Sequence, residues 1–320
     1  MRVNSEILVV IPCFNEEATI KQTIENIRLQ IPTAYIVVID NASDDSTAEV
    51  AKSISGVQVL TETQKGKGFA IRHAFSSLKI DDYDVILMTD GDDTYSMESF
   101  SIAYELVKNS GVDMVIGNRI IENNGDQSRH SPYRKFHALG NSLISRLNKL
   151  LFRYQIEDTL SGWRVMSPGF VISFWGGASG FEIESELNAH CFILKSPPRS
   201  VNVMYRGRIL ESKSKLNTWS DGFKIVRRQL ALFKSERPFF AYGVASLPIF
   251  FVSVYLIKNV ISSYLKIQLV PNFPSLIAGI GGFTLATLLC ITGLILENVR
   301  LIRVQATRYK YSDVKKRHQP

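Results

Sequence analysis

Short apolar runs alternate with segments of helical periodicity through the first third of this chain. Residues 7–12, 34–40, 57–61, 84–90 and 113–117 are strand-length and apolar. Between them, 17–29, 44–53, 67–78 and 96–108 repeat apolar positions every three to four residues. Ile36, Val37, Val38 and Ile39 follow one another without a polar break, as in a parallel strand covered on both faces. The alternation predicts an α/β fold built on a mostly parallel open sheet. Ligands of such sheets gather beyond the carboxyl ends of the strands. The polar clusters fall there: Pro-Cys-Phe-Asn-Glu at 12–16, Asp-Asn-Ala-Ser-Asp at 40–44 and Asp-Gly-Asp-Asp-Thr-Tyr at 90–95.

The last third has a different pattern. Residues 238–257 carry no formal charge, and neither do residues 267–296, so each run is long enough to cross a bilayer. Pro248 is expected to kink the first span, and Pro271 and Pro274 fall near the start of the second. The link between the runs holds only Lys258 and Lys266, whereas basic residues crowd the outer flanks, which the positive-inside rule places in the cytosol. No signal peptide is read at the N-terminus. The expected organisation is a cytosolic domain of residues 1–217, a juxtamembrane amphipathic helix over 218–237, two transmembrane helices within 238–297 and a basic cytosolic tail of 298–320. Two further stretches, 136–150 and 223–233, set leucines and phenylalanines at helical spacing beside basic residues. They fit helices in the headgroup plane, or helices packed on the sheet with a solvated basic face.

Charge changes the picture in one respect. The chain of 320 residues carries a net charge of +7. Residues 1–223 sum to −4, while 224–237 and 297–320 together sum to +9. The basic excess therefore brackets apolar segments, which points to a membrane and away from nucleic acid as the partner. The 45% hydrophobic content excludes a disordered chain. Three distant cysteines, Cys13, Cys191 and Cys290, exclude a disulfide framework or a zinc ribbon. The five histidines show no metal-ligand spacing.

Asp90, Asp92 and Asp93 crowd one strand end and repel one another unless a cation sits among them. Oxygen ligands of this kind suit Mg²⁺ or Mn²⁺, ions that also bind nucleotide phosphates. An acidic first turn favoured by the helix dipole is the plainer alternative. Asp40 at the end of the second strand fits hydrogen bonding to a ribose or base. Lys65-Gly66-Lys67-Gly68 reads either as backbone amides and a cation offered to a diphosphate or as a loop before a helix. No G-x-G-x-x-G and no G-x-x-x-x-G-K-[ST] is present, so dinucleotide and P-loop sites lack support.

The segments VVIPCFNEE (9–17), VVIDNASDDST (37–47), KGKGFAIRHAF (65–75) and MTDGDDTY (88–95) resemble, in order and spacing, the GT-A glycosyltransferases of family 2. DTLSGWRVM (158–166), GFEIESEL (180–187) and YRGRILESKSKLNTWSDG (205–222) are similar to the polyprenyl-phosphate glycosyltransferases, relatives of dolichyl-phosphate mannose synthase that often carry two C-terminal spans. The resemblance covers nearly all of residues 1–300. It implies a GT-A domain in which Pro12, Phe14, Glu16, Asp40, Lys67 and Asp90 hold the donor nucleotide. Asp90 and Asp92 match the metal-binding D-x-D acids, with Mg²⁺ or Mn²⁺ as cofactor and Asp92 the direct ligand. Arg119, Arg134 and Ser214 fall where the acceptor phosphate is held, and Arg208 and Lys215 in the loop that closes over the diphosphate. Thr94 departs from the glutamine common in the mannose synthases, which puts a third side-chain ligand in doubt.

The implied activity is inverting transfer of a hexose from a nucleotide sugar, UDP-hexose in preference to GDP-mannose, to polyprenyl phosphate on the cytosolic face of the membrane. A homo-oligomer is left open. The rival readings are a polysaccharide synthase, whose usual Q-x-x-R-W motif is missing from 227–230, and a non-catalytic membrane scaffold, which the intact Asp90, Asp92, Arg208 and Lys215 oppose. Glu184 belongs with the catalytic set but is expected to position sugar or acceptor loop without removing a proton. A phosphate monoester is already largely ionised at neutral pH, its second pKa being about 6. On a helix Glu182 and Glu186 share a face and Glu184 points elsewhere.

Overall fold

The computed structural model describes residues 6–121, 156–206, 227, 230–270 and 272–318. It divides into two compact units, one formed by the chain up to Arg228 together with 306–320, the other by 229–305.

The first unit is built on a seven-stranded sheet in the order β3-β2-β1-β4-β6-β5-β7. The strands are β1 (Ile7–Cys13), β2 (Tyr35–Asp40), β3 (Val57–Thr61), β4 (Val85–Met88), β5 (Met114–Ile121), β6 (Arg164–Met166) and β7 (Arg199–Tyr205). Six run parallel, and β6 alone is antiparallel to its neighbours β4 and β5. The five strands and four helices read from the alternation are present, with ends moved by a few residues; α1 is Ile20–Gln30, α2 Thr47–Ser53, α3 Lys67–Ser77 and α4 Phe100–Lys108. Elements not read from it include β6, β7, α5 (Pro168–Ser173) and a 3₁₀ turn at Ile80–Asp82. The helix used to place the three glutamates is α6 (Ile183–Leu194).

Both sheet faces are covered, which is why the central strands are apolar without alternation. Val9, Ile11, Ile36, Val38 and Leu87 pack on one face with Ile20, Ile24 and Ile27 of α1. Leu8, Val10, Val37, Ile39 and Ile86 pack on the other with Ala70, Ile71 and Ala74 of α3 and Ile183 and Leu187 of α6. Each such aliphatic side chain contributes about 1.5–3 kcal/mol on burial, so the sheet is a rigid base for loops at its edge.

The second unit holds α7 (Pro238–Ile267) and most of α8 (Phe273–His318). Both are long and apolar enough to cross a membrane, and only 11% and 17% of their most apolar stretches are buried, unlike the core helices of a soluble domain. Small residues let the two helices approach: a Cβ on Gly279 would meet Ile257, one on Gly282 would meet Ser253, and one on Gly293 would meet Tyr242. Glu236, 3% exposed, accepts from Arg300 and Arg303.

The stretch read as a basic tail, 298–320, differs from that reading. The α8 helix continues through it, and residues 306–318 pack on the first unit. Arg308 donates to the Ile193 carbonyl, the Tyr311 hydroxyl to both oxygens of Asp113 and Arg317 to Asp81. A Cβ on Gly169 would stand 3.2 Å from the Tyr311 ring, and Val314 is 2% exposed. Basic residues in this segment thus serve an intramolecular interface.

Candidate active site

The strand directions bring one set of residues to a single edge of the sheet. The carboxyl ends of β1, β2, β4, β5 and β7 lie there, and so does the start of β6, because it runs the other way. That reversal delivers the 158–163 turn to the same edge as Asp40, Asp90 and Arg119.

The three crowded acids are dealt with separately. Asp90 faces Lys67, whose ammonium donates to Asp90 Oδ1 at 2.6 Å and to Glu184 Oε1 at 2.7 Å, 5.8 Å from the Phe181 ring centre. Asp92, 3% exposed, accepts from the Thr94 hydroxyl at 2.6 Å. Asp93 adopts a left-handed backbone (φ 53–54° is shared with Asn15 and Ala42), and its carboxylate turns to Asn26 at 2.6 Å. Burial pushes the Asp93 carboxyl up from its ordinary range, with Asn26 opposing. The loop carrying these acids is held from behind: the hydroxyls of Thr19 and Thr23 both donate to the Gly91 carbonyl.

Burial opposes the Lys67 charge, but Asp90 and Glu184 outweigh it and hold its pKa above the ordinary lysine value. Lys67 is therefore a fixed cation at neutral pH. Glu184, 2% exposed, is pushed upward by burial, with Lys67 pulling the other way. Among the described residues neither its buried Oε2 nor the buried Oδ1 of Asp40 has a hydrogen-bond partner. Buried acceptors without donors are costly, and both carboxylates here stand at the ligand edge of the sheet.

Glu182 and Glu186 share a task that Glu184 does not. Glu182 Oε1 accepts from the amides of Ser179 and Gly180, and Glu186 Oε2 from those of Gly177 and Ala178. Together they fix the 176–182 loop against the start of α3. The amides of Gly68 and Phe69 donate to the Ser179 carbonyl, at 3.0 and 3.3 Å. Within the Lys-Gly-Lys-Gly segment, the Gly66 amide likewise donates to Asn41 Oδ1, so these two glycine amides favour the second of the two readings, a loop before a helix. Its glycines are needed because a Cβ on Gly66 or Gly68 would come within 2.2–2.3 Å of the Ser179 or Ala178 carbonyl oxygen. The Lys67 side chain is the part of the segment that reaches Asp90 and Glu184.

The nucleotide-side residues lie at the ends of β1 and β2. Pro12 and Phe14 are half-buried, with the Lys65 ammonium 5.1 Å from the Phe14 ring centre. Glu16 is buried; its Oε2 accepts from the Thr19 hydroxyl and its amide donates to Thr47. Asp40 is opposite Cys13 in the β1–β2 register.

Arg119, near the end of β5, makes a two-bond pair with Asp158, Nε to Oδ2 at 2.6 Å and Nη2 to Oδ1 at 2.8 Å, and lies 5.5 Å from the Tyr205 ring centre. Burial works against its charge, but Asp158 and its neighbours hold it ionised. Sequence reasoning gave no role to Asp158, nor to the turn that presents it. That turn wraps Arg164, which is fully buried and donates to the carbonyls of Ser161 and Thr159 and to Asn188 Oδ1. Gly162 is required there, since a Cβ would lie 2.3 Å from Asp90 Oδ2. The signal the sequence offered was the segment DTLSGWRVM (158–166), which marked the resemblance without assigning Asp158 a role. Arg134, Arg208, Ser214 and Lys215, and the amphipathic stretch 136–150, lie outside the described residues.

Asp90 and Asp92 supply hard oxygen donors of the kind Mg²⁺ and Mn²⁺ take. No three His, Cys, Asp or Glu side chains among the described residues gather as a metal cage. The two carboxylates fit a hard divalent ion of the kind that also takes phosphate oxygens.

The glycosyl transferase family 2 profile matches residues 8–171, half of the chain. The chain belongs to that family. It is a glycosyltransferase, with the GT-A-type sheet domain and two long apolar helices expected from the resemblance. It is 46% identical over 132 residues to Protein RfbJ of Shigella flexneri, covering 41% of this chain and 95% of that one. A dolichyl-phosphate hexose transferase of Haloferax volcanii is 32% identical over 160 residues, 50% of this chain and 65% of the relative. Among solved structures, glucosyl-3-phosphoglycerate synthase of Mycobacterium tuberculosis in complex with Mn²⁺ and UDP-glucose superposes with a TM-score of 0.54 at 20% identity. It covers 72% of this chain and 79% of that one, a likeness of fold.

Proposed function

We propose that this family 2 glycosyltransferase moves a hexose from a nucleotide sugar, UDP-hexose in preference to GDP-mannose, to a polyprenyl phosphate, with inversion at the anomeric carbon. The observation that carries the reading is the Lys67 junction. One part-buried cation joins the D-x-D acid Asp90 to Glu184, whose second oxygen has no donor among the described residues. Arg119 stands at the same sheet edge for a phosphate acceptor. The name of the Haloferax volcanii relative and the two apolar helices support a lipid-phosphate acceptor.

In this reading Asp40 Oδ1 takes a hydrogen bond from the donor's base or ribose, and Phe14 packs beside it. Glu184 Oε2 accepts from a sugar hydroxyl, which orients the anomeric carbon. Asp90 and Asp92 would hold Mg²⁺ or Mn²⁺, whose charge would offset that of the leaving diphosphate. Arg119, with Arg134 and Ser214, binds the acceptor phosphate; Arg208 and Lys215 compensate phosphate charge as the two anions meet. An acceptor phosphate oxygen forms the bond to the anomeric carbon while the bond from that carbon to the diphosphate breaks. No proton has to leave the nucleophile, because the phosphate is already ionised. The membrane topology proposed with this activity keeps both termini and the catalytic unit in the cytosol.

The test is a donor panel of UDP-glucose, UDP-N-acetylglucosamine and GDP-mannose offered to the full chain in detergent with undecaprenyl phosphate. Nucleoside diphosphate release from one donor is expected to require the lipid, to yield a lipid-phosphate sugar, and to stop with EDTA until Mn²⁺ or Mg²⁺ is restored. Release that ignores the lipid, or a full rate in EDTA, would sink the proposal.

A further inference from the structure

Thr94 stands where the resemblance left a ligand in doubt, and its surroundings give it a different task. It is 1% exposed and Asp92 is 3% exposed. Its hydroxyl donates to Asp92 Oδ1 at 2.6 Å, and its amide points at the same oxygen from 3.4 Å. Its carbonyl is used as well: it accepts from the Arg206 amide at 2.8 Å. The next residues extend the connection. Tyr95 bridges to Tyr205, their rings meeting edge to face at 5.2 Å, and the Ser96 amide donates to the Met204 carbonyl at 3.0 Å. Residues 94–96 are thus bound alongside the end of β7, and Tyr95 also accepts from the amide of Gly162, the glycine that lies against Asp90.

We infer that Thr94 positions Asp92, its hydroxyl holding Oδ1 of the carboxylate and its backbone tying that hydroxyl to the end of β7. The inference rests on the reading of Asp90 and Asp92 as the diphosphate and cation site. A carboxylate on a short side chain turns about its last bond unless partners stop it, and a hydroxyl whose own residue is anchored through its carbonyl to the Arg206 amide is placed to do so. Partners of this kind set ligand direction, and losing one typically weakens metal binding by about 10–100-fold. A serine keeps the hydroxyl; a valine has the same shape and lacks it. A hydroxyl that merely stabilised the turn would change the melting temperature and leave cation affinity alone.

The experiment uses the full chain in detergent. Free Mn²⁺ is titrated by electron paramagnetic resonance in the presence of UDP, with thermal melting in parallel. Thr94→Val is expected to weaken Mn²⁺ binding by about tenfold, Thr94→Ser to restore it, and the Val variant to approach the unsubstituted kcat once Mn²⁺ is saturating, so that the loss appears in the KM for metal. Should Thr94→Val fail to fold, Thr94→Ala removes the same hydroxyl and carries the same expectation. Unchanged Mn²⁺ affinity in the Val or Ala variant, or a folded Ser variant as weak as Val, overturns the assignment. A chain without any substitution that binds no Mn²⁺ with UDP or GDP overturns the reading of the acids, and the inference falls with it.

Discussion

Lys67 and Glu184 form a charge balance that a substitution at either one unsettles differently. Replacing Lys67 by Met leaves Asp90 and Glu184 facing each other at the ligand edge without their shared cation. Removing one partner of a buried pair costs about 3–5 kcal/mol. Replacing Glu184 by Gln keeps an acceptor oxygen for Lys67 and offers the amide nitrogen where the unpartnered Oε2 now sits. In the proposed reaction Glu184 orients sugar and removes no proton. Glu184→Gln is therefore expected to keep a measurable rate, with a raised KM for the donor and no new dependence on a basic group between pH 7 and 9. Lys67→Met is expected to lose more in both stability and rate. Rate–pH profiles and melting curves of the two variants decide it. A dead Glu184→Gln enzyme that still binds both substrates would return the glutamate to the role of base.

At the scale of elements, the contact between the start of α3 and the 176–182 loop bears directly on the site, because it sets the direction from which Lys67 reaches Asp90. A Cβ on Gly68 would lie 2.3 Å from the Ala178 carbonyl oxygen and 2.8 Å from its carbon, so the backbone itself must move. Gly68→Ala is expected to cost about 1–3 kcal/mol and to weaken nucleotide-sugar binding. Calorimetric melting and donor titration check both; an unaltered melting temperature would show that the loop yields freely. The same region marks the limit of what the sequence makes legible. The parallel strands β1, β2 and β4 were readable because double burial leaves an unbroken apolar run, whereas the parallel β7 is largely exposed and was not; Asp40, Asp90 and Asp92 were readable because acids at strand ends stand out against such runs. Strand β6 was not, since it is three residues long, begins with the buried Arg164 and pairs only with distant β4 and β5. No local pattern distinguishes an arginine wrapped by carbonyls from one in solvent, so the partner of Arg119 stayed hidden with it. The glycines of 65–68 were visible, but whether they face a phosphate or a neighbouring carbonyl is decided by chain more than 100 residues away.

For the whole molecule, the docking of 306–318 alters what a truncation does. Charge alone separates this stretch from the catalytic domain, and a cut after Arg237 then spares everything the domain needs. The structure gives it a different standing. Asp113, 3% exposed, receives the Tyr311 hydroxyl on both oxygens and also the hydroxyls of Ser167 and Ser196, so the start of β5, the cap of α5 and the end of α8 meet at one carboxylate. Ending the chain after Gln305 removes one of these donors along with the Arg308 and Arg317 bonds, and it uncovers the surface around Gly169. Losing one hydrogen bond to a charged group costs about 1.5–3 kcal/mol. Tyr311→Phe is thus expected to lower the melting temperature of the catalytic unit, and the chain ending at Gln305 to lower it further, although both keep every residue assigned to the donor. Each is expected to bind UDP with Mn²⁺ well below its melting temperature, since the Asp113 cluster lies at the opposite end of β5 from Arg119. A chain cut at Gln305 that melts with the full-length protein would show the docked helix end to be a passive tail, and a Tyr311→Phe variant that loses nucleotide binding without losing stability would tie it to the site instead.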